Sequence, residues 1–217
     1  MPLQQARITC GKTVFTHFYL GRYFPLAAGE DMLSHSLVRF KQRLQPDLGA
    51  WIACAGDLLA HLSFSPQTII LRALRHEETT IRPEFPSALD LLGQALALKF
   101  GCRYRPDLLS KTRATLPGKL LTRSQRVTQL RNVYRMGDAF GADFIPDTSI
   151  LVIDDILTTG TTMRAIIRAV SERLPQCRIE AFTLTRADYG SPDPETMRGD
   201  ETHTAEVLKK HILAKTI

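Results

Sequence analysis

The chain has 217 residues, 44% of them hydrophobic, enough for one α/β domain with an elaboration or barely two small domains. No apolar run reaches membrane-spanning length and no signal-peptide stretch opens the chain, while Cys10, Cys54, Cys102 and Cys177 lie too far apart for a zinc ribbon, so a reduced cytoplasmic setting is expected. The net charge of +6 points to anionic partners, either phosphorylated substrates or nucleic acid.

Arg7 to Cys10 and Val14 to Leu20 flank the turn Gly11-Lys12 and predict a hairpin. Leu33, Leu37, Phe40 and Leu44 recur at helical spacing up to Pro46, and a second helix is expected from Ala50 to Leu62. Thr68 to Leu71 read as a strand, with arginines just beyond it. Ser87 to Phe100 form a helical pattern with Leu91, Ala95 and Leu98 inward, closed by Gly101 as a C-cap residue. A strand near Asp107 to Lys111 follows. Thr122-Arg123-Ser124-Gln125 has the form of a capping box and predicts a helix running to about Met136.

Ile150 to Ile153 is a short apolar run, the pattern of a strand buried on both faces. Asp154 and Asp155 follow it, then a loop of small hydroxylated residues around one glycine: Thr158, Thr159, Gly160, Thr161 and Thr162. Met163, Ile166, Ile167 and Val170 then mark an amphipathic helix stopped by Pro175, and Arg178 to Arg186 alternate as a final strand. From Gly190 the chain turns polar, with Ala205, Leu208 and Ile212 marking a short terminal helix on a mobile extension.

Strands separated by helices predict a doubly wound, mostly parallel α/β sheet, whose ligands bind at the carboxyl ends of the strands. Arg72, Lys111 and Asp154 are placed there. A small-residue loop entering a helix N-terminus can wrap a phosphate with backbone N–H groups, helped by the helix dipole. Two carboxylates beside an anion site would repel that phosphate unless something lies between, and a sugar fills the gap by donating hydroxyls to the acids. The segment therefore reads as a sugar-phosphate site. It is no Walker loop, because no Gly-Lys-Ser/Thr follows, and no dinucleotide fingerprint, because it has one glycine.

Asp154-Asp155-Ile156-Leu157-Thr158-Thr159-Gly160-Thr161-Thr162 resembles the phosphoribosyl pyrophosphate (PRPP) signature of type I phosphoribosyltransferases. The resemblance implies that fold with an N-terminal hood, and acids that hold the ribose hydroxyls while the loop holds the 5′-phosphate. It divides the chain into a hood over 1–62, a phosphoribosyltransferase core over 63–190 and a tail over 191–217. It further implies Mg²⁺ carried mainly by substrate and water, PRPP and a nitrogen acceptor as substrates, and a possible homodimer.

Diphosphate leaving a ribose carbon needs cations and exclusion of water. Arg72, Arg75 and His76 follow a strand where such enzymes carry a diphosphate loop; a structural ion pair involving Glu77 and Glu78 is the other reading of these cations. Lys111 to Lys119 is basic, contains Pro-Gly and suits a mobile lid, with Arg113 and Lys119 as further diphosphate ligands.

The order of Leu109-x-Lys-x-Arg-x-Thr115, Leu121, Arg126, Arg131-Asn132, Phe140 and Leu184-Thr185-Arg186 resembles the ComF-like branch, named for bacterial DNA-uptake competence. So does Tyr19-Leu-Gly-x-Tyr23 followed by Arg39-Phe40-Lys41. The chain departs from that branch in having no four-cysteine zinc module, no Gln after the lid Thr, and Arg75-His76-Glu77-Glu78 where Arg-Gly-Phe-Asn is usual. Thr158 stands where hypoxanthine-type enzymes carry an Asp, which argues against that substrate class. The alternative function is a non-catalytic PRPP-binding or DNA-uptake accessory protein. In it, single-stranded DNA would meet the basic run from Lys111 to Arg135, which has no Asp or Glu.

Overall fold

The computed structural model describes residues 3–11, 13–25, 31–137, 147–189 and 202–213, with the side chains of residues 119, 202–205, 212 and 213 outside that description. Six strands form the central sheet: β1 (Gln4–Cys10), β2 (Thr13–Tyr23), β3 (Thr68–Arg72), β4 (Arg103–Tyr104), β7 (Ser149–Leu157) and β8 (Arg178–Ala187). Their order is β1-β2-β8-β7-β3-β4, parallel throughout except for the β1–β2 hairpin. The hairpin, expected in the hood, thus joins the main sheet, with Thr16 opposite Glu180 and Tyr23 opposite Ala187.

Helices cover both faces. On one lie α1 (Met32–Lys41), α2 (Asp47–Leu59), α3 (Ala88–Phe100) and α6 (Thr202–Leu213); on the other lies α5 (Thr161–Arg173). Alternate residues of each strand feed alternate cores. Ile70, Leu151, Ile153, Phe182 and Leu184 meet Leu37, Phe40, Trp51 and Leu92, whereas Ile69, Leu71, Val152, Ile179 and Ala181 meet Met163, Ile166, Ile167 and Val170. Burial on both faces explains why these strands read as apolar runs. Leu208 of α6 is fully buried in the first core; the polar segment before that helix and Phe140 lie outside the described residues.

Several expectations shift. In α3 the buried residues are Leu89, Leu92, Leu96 and Ala97, while Leu98 is 87% exposed. The spacing of three and four was right, but the inward face is rotated, because Gly93 lies against the Tyr104 ring and sets which face touches the sheet. α2 begins at Asp47, whose carboxylate accepts from Ser36 Oγ at 2.6 Å and Arg39 Nε at 2.6 Å, pinning the helix start to α1.

The helix after the capping box, α4 (Arg123–Leu130), stops six residues short of Met136. Asn132 takes a left-handed φ of 54°, and Tyr134–Met136 then forms β6, paired antiparallel with β5 (Leu109–Lys111). Lys111 therefore stands on a separate two-stranded ribbon and not at the end of a central strand.

Candidate active site

The acid pair lies on β7, which continues to Leu157. Asp154 turns one oxygen, Oδ1, to the backbone N–H of Asp155 at 2.9 Å. Burial, and then the neighbouring charge of Asp155, push the Asp154 carboxyl up to about 7. Asp155 takes an ion pair from Lys41 of α1, with Nζ 3.0 Å from Oδ2.

The loop after the acids enters α5 through Gly160, whose φ of 73° is a left-handed conformation that favours glycine. A Cβ there would also stand 3.2 Å from the guanidinium of Arg164. Arg164 is a residue that sequence reasoning passed over: its Nη1 donates to Thr159 O at 2.7 Å and its Nε to Thr9 O at 2.9 Å, fastening the loop to the hairpin. Thr159 and Thr161 hydroxyls meet at 2.8 Å. The α5 N-terminus behind them has no side-chain cap, so its first amides are available to an anion.

A cavity of about 590 Å³ opens over this floor. The acid pair and Thr158 to Thr162 line one side, and Arg75, His76, Lys111 and Arg126 supply basic groups around it. Lys41 and Phe40 reach it from the hood segment, and Leu116 to Gly118 from the proposed lid.

The predicted diphosphate cations separate into three groups. Arg75 and His76 line the cavity, with His76 Nδ1 2.8 Å from Glu77 Oε2. Arg72 does not: it is 1% exposed, forms a bidentate pair with Glu78 at 2.7 and 3.0 Å, and donates through Nε to Asp90 at 2.6 Å. Of the two readings of Arg72, the structural ion pair is the one observed. Its side chain was expected at the strand end, but the capping box of α3 places Asp90 beneath it. Arg113 is not part of the cavity lining and donates to Gln129 O at 3.1 Å. The Lys119 side chain lies outside the described residues.

Lys111 is 6% exposed and donates to the carbonyls of Arg75 and His76, holding the loop after β3 from above. Burial brings its pKa down to about 8, with Glu78, Glu77 and Asp154 opposing that fall. Thr115 reinforces the join, its N–H donating to His76 O at 2.8 Å. The lid in turn is strapped to α4: Leu116 N–H donates to Gln129 Oε1 at 2.7 Å, and Gln129 Nε2 returns a bond to Leu116 O at 3.1 Å. The sequence signals for Lys111 were a strand end, the start of the lid and the basic run, that for Arg126 the basic run, and both stand in the ComF-like resemblance; Lys41 was marked only by the Arg39-Phe40-Lys41 resemblance.

Among the described residues no group of three or more His, Cys, Asp and Glu could cage a metal ion, and no helix is long and apolar enough to cross a membrane. The two adjacent acids, one of them short of compensating charge, suit a partner that brings hydroxyl donors or a cation carried by its own phosphates.

Residues 124–206 match the family model described as a phosphoribosyl transferase domain. The matched span runs from α4 through the acid pair, α5 and β8 into α6. No curated protein matches the chain. The match supports the type I phosphoribosyltransferase family, and the mostly parallel six-stranded sheet is consistent with its fold.

Proposed function

We propose that the protein is a PRPP-dependent phosphoribosyltransferase that moves ribose 5-phosphate to a nitrogen acceptor and releases diphosphate. One observation carries the reading: carboxylates and an uncapped helix N-terminus share one wall of a cavity whose other walls carry Lys41, Arg75, His76, Lys111 and Arg126. Asp154 and Asp155 accept from the ribose hydroxyls. The amides from Thr158 to Thr162 hold the 5′-phosphate, and the left-handed turn at Gly160 lets the backbone come close. Arg75, His76 and Lys111 face the diphosphate and stabilise charge as its bond to C1 breaks and the acceptor nitrogen attacks. Lys111 would exchange carbonyl partners for phosphate oxygens. Mg²⁺, carried mainly by the substrate and water, would supply charge neutralisation at the leaving group. The segment Lys111 to Lys119 closes over the donor and limits water.

The test is diphosphate release from Mg·PRPP with a panel of nucleobases and small amines, with the product found by mass. The control is the double variant Asp154→Asn, Asp155→Asn. Each lost charged hydrogen bond weakens binding by about 1.5–3 kcal/mol, so the folded double variant should lose most PRPP affinity in calorimetry. Gly160→Val should remove ribose 5-phosphate binding as well. Unchanged affinity in either variant would reject the sugar-phosphate assignment. Salt-dependent DNA binding without diphosphate release would favour the accessory-protein alternative.

A further inference from the structure

The contact between Lys41 and Asp155 joins residues 114 positions apart and has no place in the motif itself. Lys41 ends α1, whose Leu33, Leu37 and Phe40 are almost wholly buried. The helix is capped by Asp31 and tied to α2 through Ser36, Arg39 and Asp47. The lysine stem therefore starts from a fixed platform. Its ammonium meets one oxygen of Asp155, and a carboxylate has lone pairs to spare for further donors on the other.

We propose that Lys41 is a positioning residue for the sugar subsite: it supplies the counter-ion and sets the orientation of Asp155, so that ribose recognition is shared between the N-terminal segment and the β7 motif. This rests on the reading of the acid pair as a diol site. The cations elsewhere around the pair are engaged with other groups. Arg72 on β3 is held by Glu78 and Asp90, and Lys111 on the ribbon by two carbonyls. Tyr134 on the ribbon also feels the charge of Asp154, and Tyr23 on β2 that of Lys41.

Without an adjacent cation, two neighbouring carboxylates push each other toward protonation, and a protonated oxygen donates where the diol needs an acceptor. The Lys41 side chain is 45% exposed; partial desolvation of its ammonium opposes the charge, yet Asp155 first, with Asp154 and Tyr23 adding, holds its pKa above the ordinary lysine value. The lysine thus stays charged through the range in which Asp154 titrates.

The experiment compares wild type, Lys41→Met and Lys41→Arg. Calorimetry gives affinity for ribose 5-phosphate and for Mg·PRPP between about pH 6 and about pH 9, a window that lies between the ordinary carboxylate and lysine values. Carbon-13 NMR follows the Asp154 and Asp155 carboxyls without ligand. Lys41→Met should bind both ligands about tenfold more weakly or worse near neutral pH, the size of one lost charge-assisted contact. Its upper carboxyl midpoint should rise, affinity should partly return at high pH, and Lys41→Arg should restore most of it.

Tighter binding by Lys41→Met would show that the lysine plugs the site, and would overturn the proposal. So would an unmoved carboxyl midpoint. A wild-type protein that binds neither sugar phosphate would sink the diol reading itself; the NMR midpoint in Lys41→Met still decides whether the lysine governs the pair.

Discussion

Arg72 and the acid pair stand side by side on neighbouring strands, Arg72 opposite Ile153 and one step from Asp154, yet their surroundings are opposite. Around Arg72 every charge is matched: Glu78 takes both terminal nitrogens, Asp90 takes Nε, and Tyr104 donates its hydroxyl to Asp90 at 2.7 Å. Around Asp154 the nearest charge is another carboxylate, and its proton is held up to about 7. One region satisfies itself and fixes the loop from Ala73 to Glu78. The other is left short of partners where a cavity opens. Charges engaged with each other build a frame, and charges left poised mark where a ligand is expected.

The sharpest break of this contrast is Arg72→Met. The change leaves the buried Asp90 and the half-buried Glu78 without their cation, and removing one partner of a buried pair costs about 3–5 kcal/mol. Urea denaturation should show that loss in the ligand-free protein. A variant as stable as wild type would mean that the network contributes little and that Arg72 is free for another role.

The motif was legible because its parts are consecutive: strand, acids, loop and helix follow each other from Ile150 to Val170, and local backbone geometry assembles them. The capping box at Thr122 and the C-cap at Gly101 were legible for the same reason. The walls were not. Arg72 looked like a ligand because nothing near it in sequence announces Asp90, eighteen residues on, as its partner. Lys41 and Arg164 act across 114 and 155 residues, distances at which pattern carries no signal. The turn to β6 was missed because a capping box specifies where a helix begins, while its end at Leu130 is set by ribbon pairing with β5.

Asp154→Asn probes the poised half with the opposite sign. The native carboxyl keeps its proton up to about pH 7, whereas the unfolded chain releases it near about pH 4. The native state therefore loses stability as pH rises through that window. Asparagine keeps the acceptor for the Asp155 N–H and carries no charge. The variant should gain on the order of 1–3 kcal/mol over wild type above about pH 7, the scale of desolvating an uncompensated polar group. The gain should fade to nothing by about pH 3, below the carboxyl midpoints of both wild-type states. Thermal melts across that range check it, and a destabilised variant at pH 8 would show that the pair is better compensated than its geometry implies.

The smallest expected effect lies between the two regions, in the lid. Gln129 bonds both the N–H and the carbonyl of Leu116, so this side chain closes the lid onto α4. Both bonds are exposed, and each contributes about 0.5–1.5 kcal/mol at most. Gln129→Ala should leave global stability nearly unchanged, because the lid lies outside the two cores. Amide exchange should nevertheless quicken from Thr115 to Leu121 while Lys111, pinned to Thr79 by its own N–H at 2.7 Å, keeps its protection. If protection is lost equally at Lys111 and at Leu116, lid and loop open as one unit, and the division between fixed frame and poised site runs elsewhere. If it is lost at Leu116 alone, the lid hinges between Lys111 and Thr115, which places the moving part directly over the acid pair's cavity.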